Sequence, residues 1–239
     1  MAGLADDTGP GGFDEAQAHA YAAATDIETE FRHDQVFVDL LRHHAHGAVL
    51  DLGGGTGRYA AWLLYMGLAS SAHVIDQSPA MIDHCLRSGC PGLSGQVDDI
   101  ETVDLGREHY DIVLARFVLM HIRDLERTLH HMVMSLKARG TLVIVTNIVE
   151  GTAAAMTTFT GATSRIMKLR LQTRGGPMPV FNYVRTQEAY TKALEHAGCR
   201  IEFCETYDPQ ILRLETDHPG IRLSHLVLMG KKQGTIGPV

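Results

Sequence analysis

The sequence predicts an α/β fold: a doubly wound, mostly parallel sheet covered by helices on both faces. Three observations predict it. Short apolar strands alternate with amphipathic helical stretches through most of the chain, the first strand runs into a glycine-dense turn, and capping residues punctuate the junctions. With 239 residues, 45% of them hydrophobic, the chain can bury one sizeable core, so a single domain over residues 13–239 is expected.

Taking the elements in order, residues 1–12 are rich in Gly, Asp and Pro and read as a disordered tail. Residues 13–47 carry apolar residues at helical spacing, among them Phe31, Phe37, Val38, Leu40 and Leu41, which predicts one or two helices as an N-terminal cover. A strand at 48–52 (AVLDL) ends in glycines. The helical stretch RYAAWLLYM follows, with Gly67 as its stop, and then a strand at 73–77. Ser78 reads as an N-cap and Pro79 as the first helical residue, with Gly89 ending that helix. A short strand near 95–99, a polar loop and a strong apolar strand at 110–117 continue the alternation. Asp124 is placed to cap a helix whose Leu125, Leu129, Met132, Val133 and Leu136 form one stripe, closed by Gly140 before a strand at 141–147. Residues 150–185 break the rhythm. They read as an insertion containing an amphipathic helix around 163–171 and a turn at GGPMP, together a helical lid. A helix at 187–197, stopped by Gly198, and strands near 200–207 and 225–231 complete the chain.

Composition narrows the function classes. A net charge of −7 and a pI near 6.0, with no stretch gathering Lys and Arg, give no footprint for a polyanion. No apolar run reaches the roughly 18 residues of a membrane span, and the first residues lack the basic end and apolar block of a signal peptide, so a cytoplasmic protein is expected. Cys85, Cys90, Cys199 and Cys204 lack C-x-x-C spacing, and reduced thiols are expected. These features favour a small-molecule substrate, with no nucleic acid or membrane partner.

The most informative stretch is VLDLGGGTGRYA, residues 49–60. Glycines let backbone approach a ligand closely, and the following helix start offers N–H donors. The dinucleotide fingerprint G-x-G-x-x-G needs a third glycine where Arg58 follows Gly53 and Gly55, so a nicotinamide or flavin cofactor fits poorly. Asp51, just before the glycines, would repel a pyrophosphate and attract a cation. Its alternative role is to tie down N–H groups of its own loop. Asp76 closes the next strand, where a carboxylate can accept two ribose hydroxyls or can act as a turn aspartate before Ser78. Asp98 and Asp99 end the third strand, and Asp99 is the better candidate for an adenine amino group, with the Ile100 N–H donating to the ring.

In this order, VLDLGGGTGRYA, VIDQSPAMI, VDDIETVDL, YDIVLARFVLMHIRD and LKARGTLVIV resemble the successive motifs of class I S-adenosylmethionine-dependent methyltransferases over about residues 15–231. The resemblance implies a Rossmann-like, seven-stranded sheet with an antiparallel last strand, and S-adenosylmethionine as cofactor. It places Asp51, Gly53 and Gly55 at the methionine moiety, Asp76 with its neighbour Gln77 at the ribose, and Asp99 with Ile100 at the adenine. The sequence departs at LKARG, where relatives often carry Leu-Lys-Pro-Gly-Gly.

Direct methyl displacement needs alignment and exclusion of water more than covalent chemistry. A base helps when the acceptor is a hydroxyl or a protonated amine, and a neutral histidine suits that task. His121, after the fourth strand, is the candidate base, with holding its loop as the alternative. His19 and Tyr21 lie in the leading segment, Tyr21 as a contact for the methionine carboxylate and His19 for the substrate. Arg116 either lines the cofactor pocket or pairs with an acidic neighbour. The clusters His43, His44 and His46, and His130 with His131, lack convergent zinc ligands, so no metal is expected. In the lid, Met156, Phe159, Met167, Phe181 and Tyr183 are substrate-binding candidates, alongside Ile166 and Met178. The same lid would equally serve a homodimer contact.

Overall fold

The computed structural model describes residues 32–151, 165–173, 176–208, 212–213 and 221–234. Helix α1 (Arg32–His44) is followed by β1 (Ala48–Leu52), α2 (Arg58–Tyr65), β2 (Ser71–Asp76), α3 (Pro79–Arg87), β3 (Leu93–Val97) and β4 (Tyr110–Arg116). A 3₁₀ turn (Leu119–His121), α4 (Leu125–Ser135) and β5 (Leu136–Gly151) lead to a hairpin of β6 (Arg165–Thr173) and β7 (Gly176–Val184). Helix α5 (Gln187–His196), β8 (Cys199–Tyr207), the short β9 (Leu212–Arg213) and β10 (Ile221–Lys232) close the chain.

One sheet runs in the order β3-β2-β1-β4-β5-β10-β8. The pairs from β3 to β5 are parallel, and β10 lies antiparallel to both β5 and β8. This is the expected seven-stranded sheet with a reversed last strand. Strand order reverses between β1 and β4, so the carboxyl ends of β1 and β4 open a crevice at the switch point. Caps hold the predicted junctions: Ser78 Oγ accepts the Met81 N–H at 3.5 Å, and Asp124 Oδ1 accepts the Arg127 N–H at 3.1 Å. Gly67, Gly89 and Gly198 each adopt the left-handed conformation expected just past a helix.

Two apolar layers sandwich the sheet. Phe37, Leu41, Ala60, Leu63, Ile82 and Cys85 bring α1, α2 and α3 onto one face, over Val143, Val145, Val227 and Met229. Leu129, Met132, Tyr190 and Leu194 bring α4 and α5 onto the other, over Leu142, Ile144, Leu226 and Leu228. Side chains alternate across a strand, so Asn147 and His225 fall on the α1 side, in line with Val145 and Val227.

Two expectations are corrected. The helix at 163–171 is instead strand β6, paired antiparallel with β7 from Arg165↔Val184 to Thr173↔Gly176, with β9 on its other edge. Met167, Leu169 and Leu171 alternate with Lys168, Arg170 and Gln172, a period of two that a short apolar run conceals beside helix-forming Met, Lys, Leu and Arg. Over its described residues the insertion expected to be a helical lid is therefore a hairpin, not helical. Helix α4 also ends at Ser135 rather than Gly140. Leu136 already pairs with Tyr110, and register resumes at Ile112↔Thr141, so residues 137–140 form a bulge in β5 with Arg139 at φ 64°. Among the described residues no helix is long and apolar enough to cross a membrane.

Candidate functional site

The glycine loop is held open by two carboxylates. Asp51, at the end of β1, is 3% exposed and receives the Ala60 N–H, so it does tie down the helix start. Burial, then the neighbouring Asp76, raises its carboxyl to about 7, against the opposing pull of Arg58 and Arg116. A Cβ at Gly54 would fall 2.5 Å from the Asp51 carboxyl carbon, and one at Gly53 2.3 Å from Val118 Cγ2. Gly53 and Gly55 stand at φ 62° and 57°, a conformation side chains resist. Side chains here would fill the space beside Asp51. Asp76 accepts the Gly55 N–H through Oδ2 at 3.0 Å and the Ser78 N–H through Oδ1 at 2.9 Å, while burial raises its carboxyl. It is thus a turn aspartate, and each oxygen retains a further lone pair for a ligand hydroxyl.

Ile100 is buried. Asp99 is exposed, its Oδ1 accepting the Glu101 N–H at 2.9 Å, and Asp98 is tied to Gln96 and to the Asp99 N–H. Gln77 is exposed beside Asp76. The residues present suit a ligand with a cationic group at Asp51 and vicinal hydroxyls at Asp76.

Beyond β4 the chain turns sharply. Phe117 adopts φ 52° and donates its N–H to Val145 O at 2.6 Å. His121 ends the 3₁₀ turn, half-buried, with its N–H on Val118 O. Two residues unmarked by sequence reading fix this turn. Glu101 accepts the N–H groups of Arg123 and Asp124, each at 3.0 Å, and Arg185 donates to Leu119 O, Ile122 O and Arg123 O. Tyr183, buried at the base of β7, lies under the Arg185 guanidinium and meets Arg123 Nε through its hydroxyl.

Arg116 resolves toward its acidic alternative. Its guanidinium donates to Asp34 Oδ1 at 2.6 and 3.2 Å, with the carboxylate wholly buried, and spreads over the rings of Tyr59 and Phe117. Around this pair lies a polar cluster that no local motif announces. His33 packs 4.4 Å from His225 and 5.7 Å from Phe117, and Asn147 Oδ1 lies 2.8 Å from His225 Nδ1. Burial lowers His33 to about 4 and His225 to about 3, helped by Arg116 in both and by His33 in the second, so both imidazoles are neutral near pH 7. The available signal was the parity of polar residues in apolar strands: Asn147 after Val143 and Val145, His225 before Val227 and Met229.

His19, Tyr21, Met156 and Phe159 lie outside the described residues, and for Met167 and Phe181 only the backbone is described. His43 and His130 are exposed on helices, and His46 is exposed in the connection between α1 and β1.

Residues 50–144 match the family model described as "Methyltransferase domain". A tRNA U34 carboxymethyltransferase of Saccharophagus degradans is 31% identical over 139 residues, 53% of this chain and 41% of that protein, so the chain spans less than half the length of this curated relative. In fold it is similar to an S-adenosylmethionine dependent methyltransferase from Mesorhizobium loti, with TM-score 0.61 and 18% identity over 85% of this chain and 99% of the other. The N-methyltransferase NodS from Bradyrhizobium japonicum, solved with S-adenosylhomocysteine, gives TM-score 0.57 and 16% identity over 92% of this chain and 99% of that one. Residues 50–144 thus carry a methyltransferase domain, and the sheet order and the reversed strand give the chain the Rossmann-like fold of these S-adenosylmethionine-dependent methyltransferases.

Proposed function

We propose that this protein binds S-adenosylmethionine across the rim of β1 to β3 and transfers its methyl group, by direct displacement, to an oxygen or nitrogen of a small, partly apolar metabolite. The observation that carries the reading is the pair of carboxylates, Asp51 buried and Asp76 half-buried, set around glycines that leave the space beside them open. Asp51 draws the ammonium group, Asp76 accepts ribose hydroxyls, and Asp99 with Ile100 serves the adenine. Tyr21 contacts the methionine carboxylate. His121 stands as the candidate base on a turn pinned by Glu101 and Arg185, with the residue 150–185 insertion as the substrate lid or a homodimer contact. Arg116, engaged by Asp34, acts on Asp51 through its charge. The reading is of a cytoplasmic enzyme.

The test is calorimetric titration with S-adenosylmethionine, S-adenosylhomocysteine and NAD in parallel. Micromolar binding of the first two with none of NAD is expected. Binding of NAD alone would overturn the cofactor reading in favour of an oxidoreductase, and binding without turnover on any acceptor would favour a scaffold role. A second reading, an RNA acceptor, has support in the name of the Saccharophagus degradans relative. The net charge of −7 weighs against it, and a tRNA arm in the same titration, with no binding expected, separates the two.

A further inference from the structure

The net charge of −7 conceals a segregation of charge along the chain. Between Glu150 and Glu188 run 37 residues without a single Asp or Glu, yet with Arg165, Lys168, Arg170, Arg174 and Arg185. These cations are spaced rather than run together, so what sets the segment apart is its lack of carboxylates. This is the segment that contains the β6–β7 hairpin.

Register gathers the charge on one face of that hairpin. Every second residue of a strand shares a side, which puts Ile166, Lys168 and Arg170 together. Their partners share it too: Tyr183 stands opposite Ile166, Phe181 opposite Lys168 and, on the other edge of β6, Arg213 of β9 directly opposite Arg170. The reverse side carries Met167, Leu169 and Leu171 with Val180, Met178 and Leu212. Like charges directly opposed weaken a strand pair, so the Arg170–Arg213 pairing is one that local stability alone would not select. Opposed positions stand about 5 Å apart at Cβ, a spacing from which two guanidinium groups can serve one carboxylate or phosphate.

The same face meets the site. Tyr183, which belongs to it, is buried and accepts the Arg123 Nε–H through its hydroxyl at 3.4 Å. It lies under the Arg185 guanidinium, which pins the turn carrying His121 through Leu119 O and Ile122 O. We infer that the face formed by Lys168, Arg170 and Arg213 binds a carboxylate or phosphate group of the methyl acceptor, so that the substrate is an organic anion; the inference rests on the function proposed above. The arginine pair supplies forked, directional donors and Lys168 a point charge, while Ile166 and Phe181 at neighbouring positions suit the apolar part of the same molecule.

The test first titrates the full chain with S-adenosylhomocysteine, then titrates that complex at low salt with benzoate, phenyl phosphate and benzamide, the last a neutral counterpart of the first. At least one of the two anions is expected to bind about ten-fold or more tightly than benzamide, and which of them binds better tells carboxylate from phosphate. Raising salt from about 50 to about 500 mM should weaken the anion several-fold and leave benzamide unchanged. Arg170→Gln combined with Arg213→Gln should remove the preference while S-adenosylhomocysteine affinity stays that of the wild type. Without any probe, each single variant should melt at least as high as the wild type, because an opposed pair of like charges has been relieved. Equal binding of anions and benzamide by the wild type, or no binding of either anion, overturns the inference even if the variants fail to fold. Variants that melt lower and keep the preference assign the two arginines to the fold and overturn it as well. Tight binding of tRNA that the double substitution abolishes would replace the small anion with a polynucleotide. Failure to bind S-adenosylhomocysteine in the first titration shows instead that the underlying methyltransferase reading has failed, and this inference with it.

Discussion

The rim over β1 to β3 and the rim over β5 and β10 lie on the same sheet but are built differently. At the first, polar groups are tied by neighbours in the βαβ unit: Asp76 is held by Ser78 two residues on and by Gly55 twenty-one residues back. At the second, partners are far apart in sequence: Asn147 meets His225 across 78 residues, Arg116 meets Asp34 across 82, and Arg185 reaches Ile122 across 63. The cofactor end is thus a local device that each strand–turn–helix unit carries with it. The far end exists only once α1, the hairpin and β10 have docked. Variants at the first should change affinity within an intact fold, and variants at the second should change stability or acceptor handling.

Arg116 is the place to break that contrast, because it touches both ends. Arg116→Ala leaves the fully buried Asp34 carboxylate without its partner, and such losses cost about 3–5 kcal/mol. Urea unfolding should show that fall, and Asp34→Asn combined with Arg116→Ala should recover a good part of it. If Arg116→Ala alone is neutral, α1 is not locked through this pair.

Asp76→Ala tests the near rim. It removes hydrogen bonds from ligand hydroxyls to a charged acceptor, worth about 1.5–3 kcal/mol, and should weaken S-adenosylmethionine about 10- to 150-fold by calorimetry. The urea midpoint should move far less than for Arg116→Ala. Unchanged affinity would remove Asp76 from the ribose.

Arg185→Ala sharpens the contrast at smaller scale. Its guanidinium pins the base of the hairpin to the turn carrying His121, and losing partly exposed bonds to carbonyls should cost about 1–2 kcal/mol. Faster amide exchange confined to residues 119–123, with S-adenosylhomocysteine affinity intact, is the expected pattern. A matching loss of cofactor affinity would mean that the two rims are coupled.

What could be read from the sequence follows the same division. Elements with a cap at one end and a glycine at the other, such as α3 between Ser78 and Gly89, were legible because the signals are local. Asp51, Asp76 and the glycines were legible because strand, turn and helix follow one another directly. The hairpin was misread because Met, Lys, Leu and Arg favour helices while their alternation is that of a strand, and β6 is held by β7 and β9 rather than by its own preference. His225 and His33 could not be picked from 14 histidines, since what distinguishes them is a shared burial that only the docking of α1 against β10 creates.

The smallest predicted effect comes from the protonation of Asp51. Its carboxyl sits at about 7 in the folded chain, against an ordinary 3.8. Between those values the folded state holds a proton that the unfolded state has lost, so this group's contribution to stability is present below about pH 4 and falls away as pH rises toward 7. Affinity for a cation runs the opposite way. The carboxylate that attracts an ammonium group forms only as pH climbs through about 7, against the like charge of Asp76 and with the help of Arg58 and Arg116. S-adenosylmethionine should therefore bind about ten-fold more tightly at pH 8 than at pH 6, with proton release that appears as a buffer-dependent enthalpy. Asp51→Asn should abolish that pH dependence, bind weakly throughout, and be more stable than the wild type at pH 8. A pH dependence that survives the substitution would transfer the titration to another group. An Asp51→Asn chain that binds as tightly as the wild type would reduce Asp51 to its structural role, the acceptance of the Ala60 N–H.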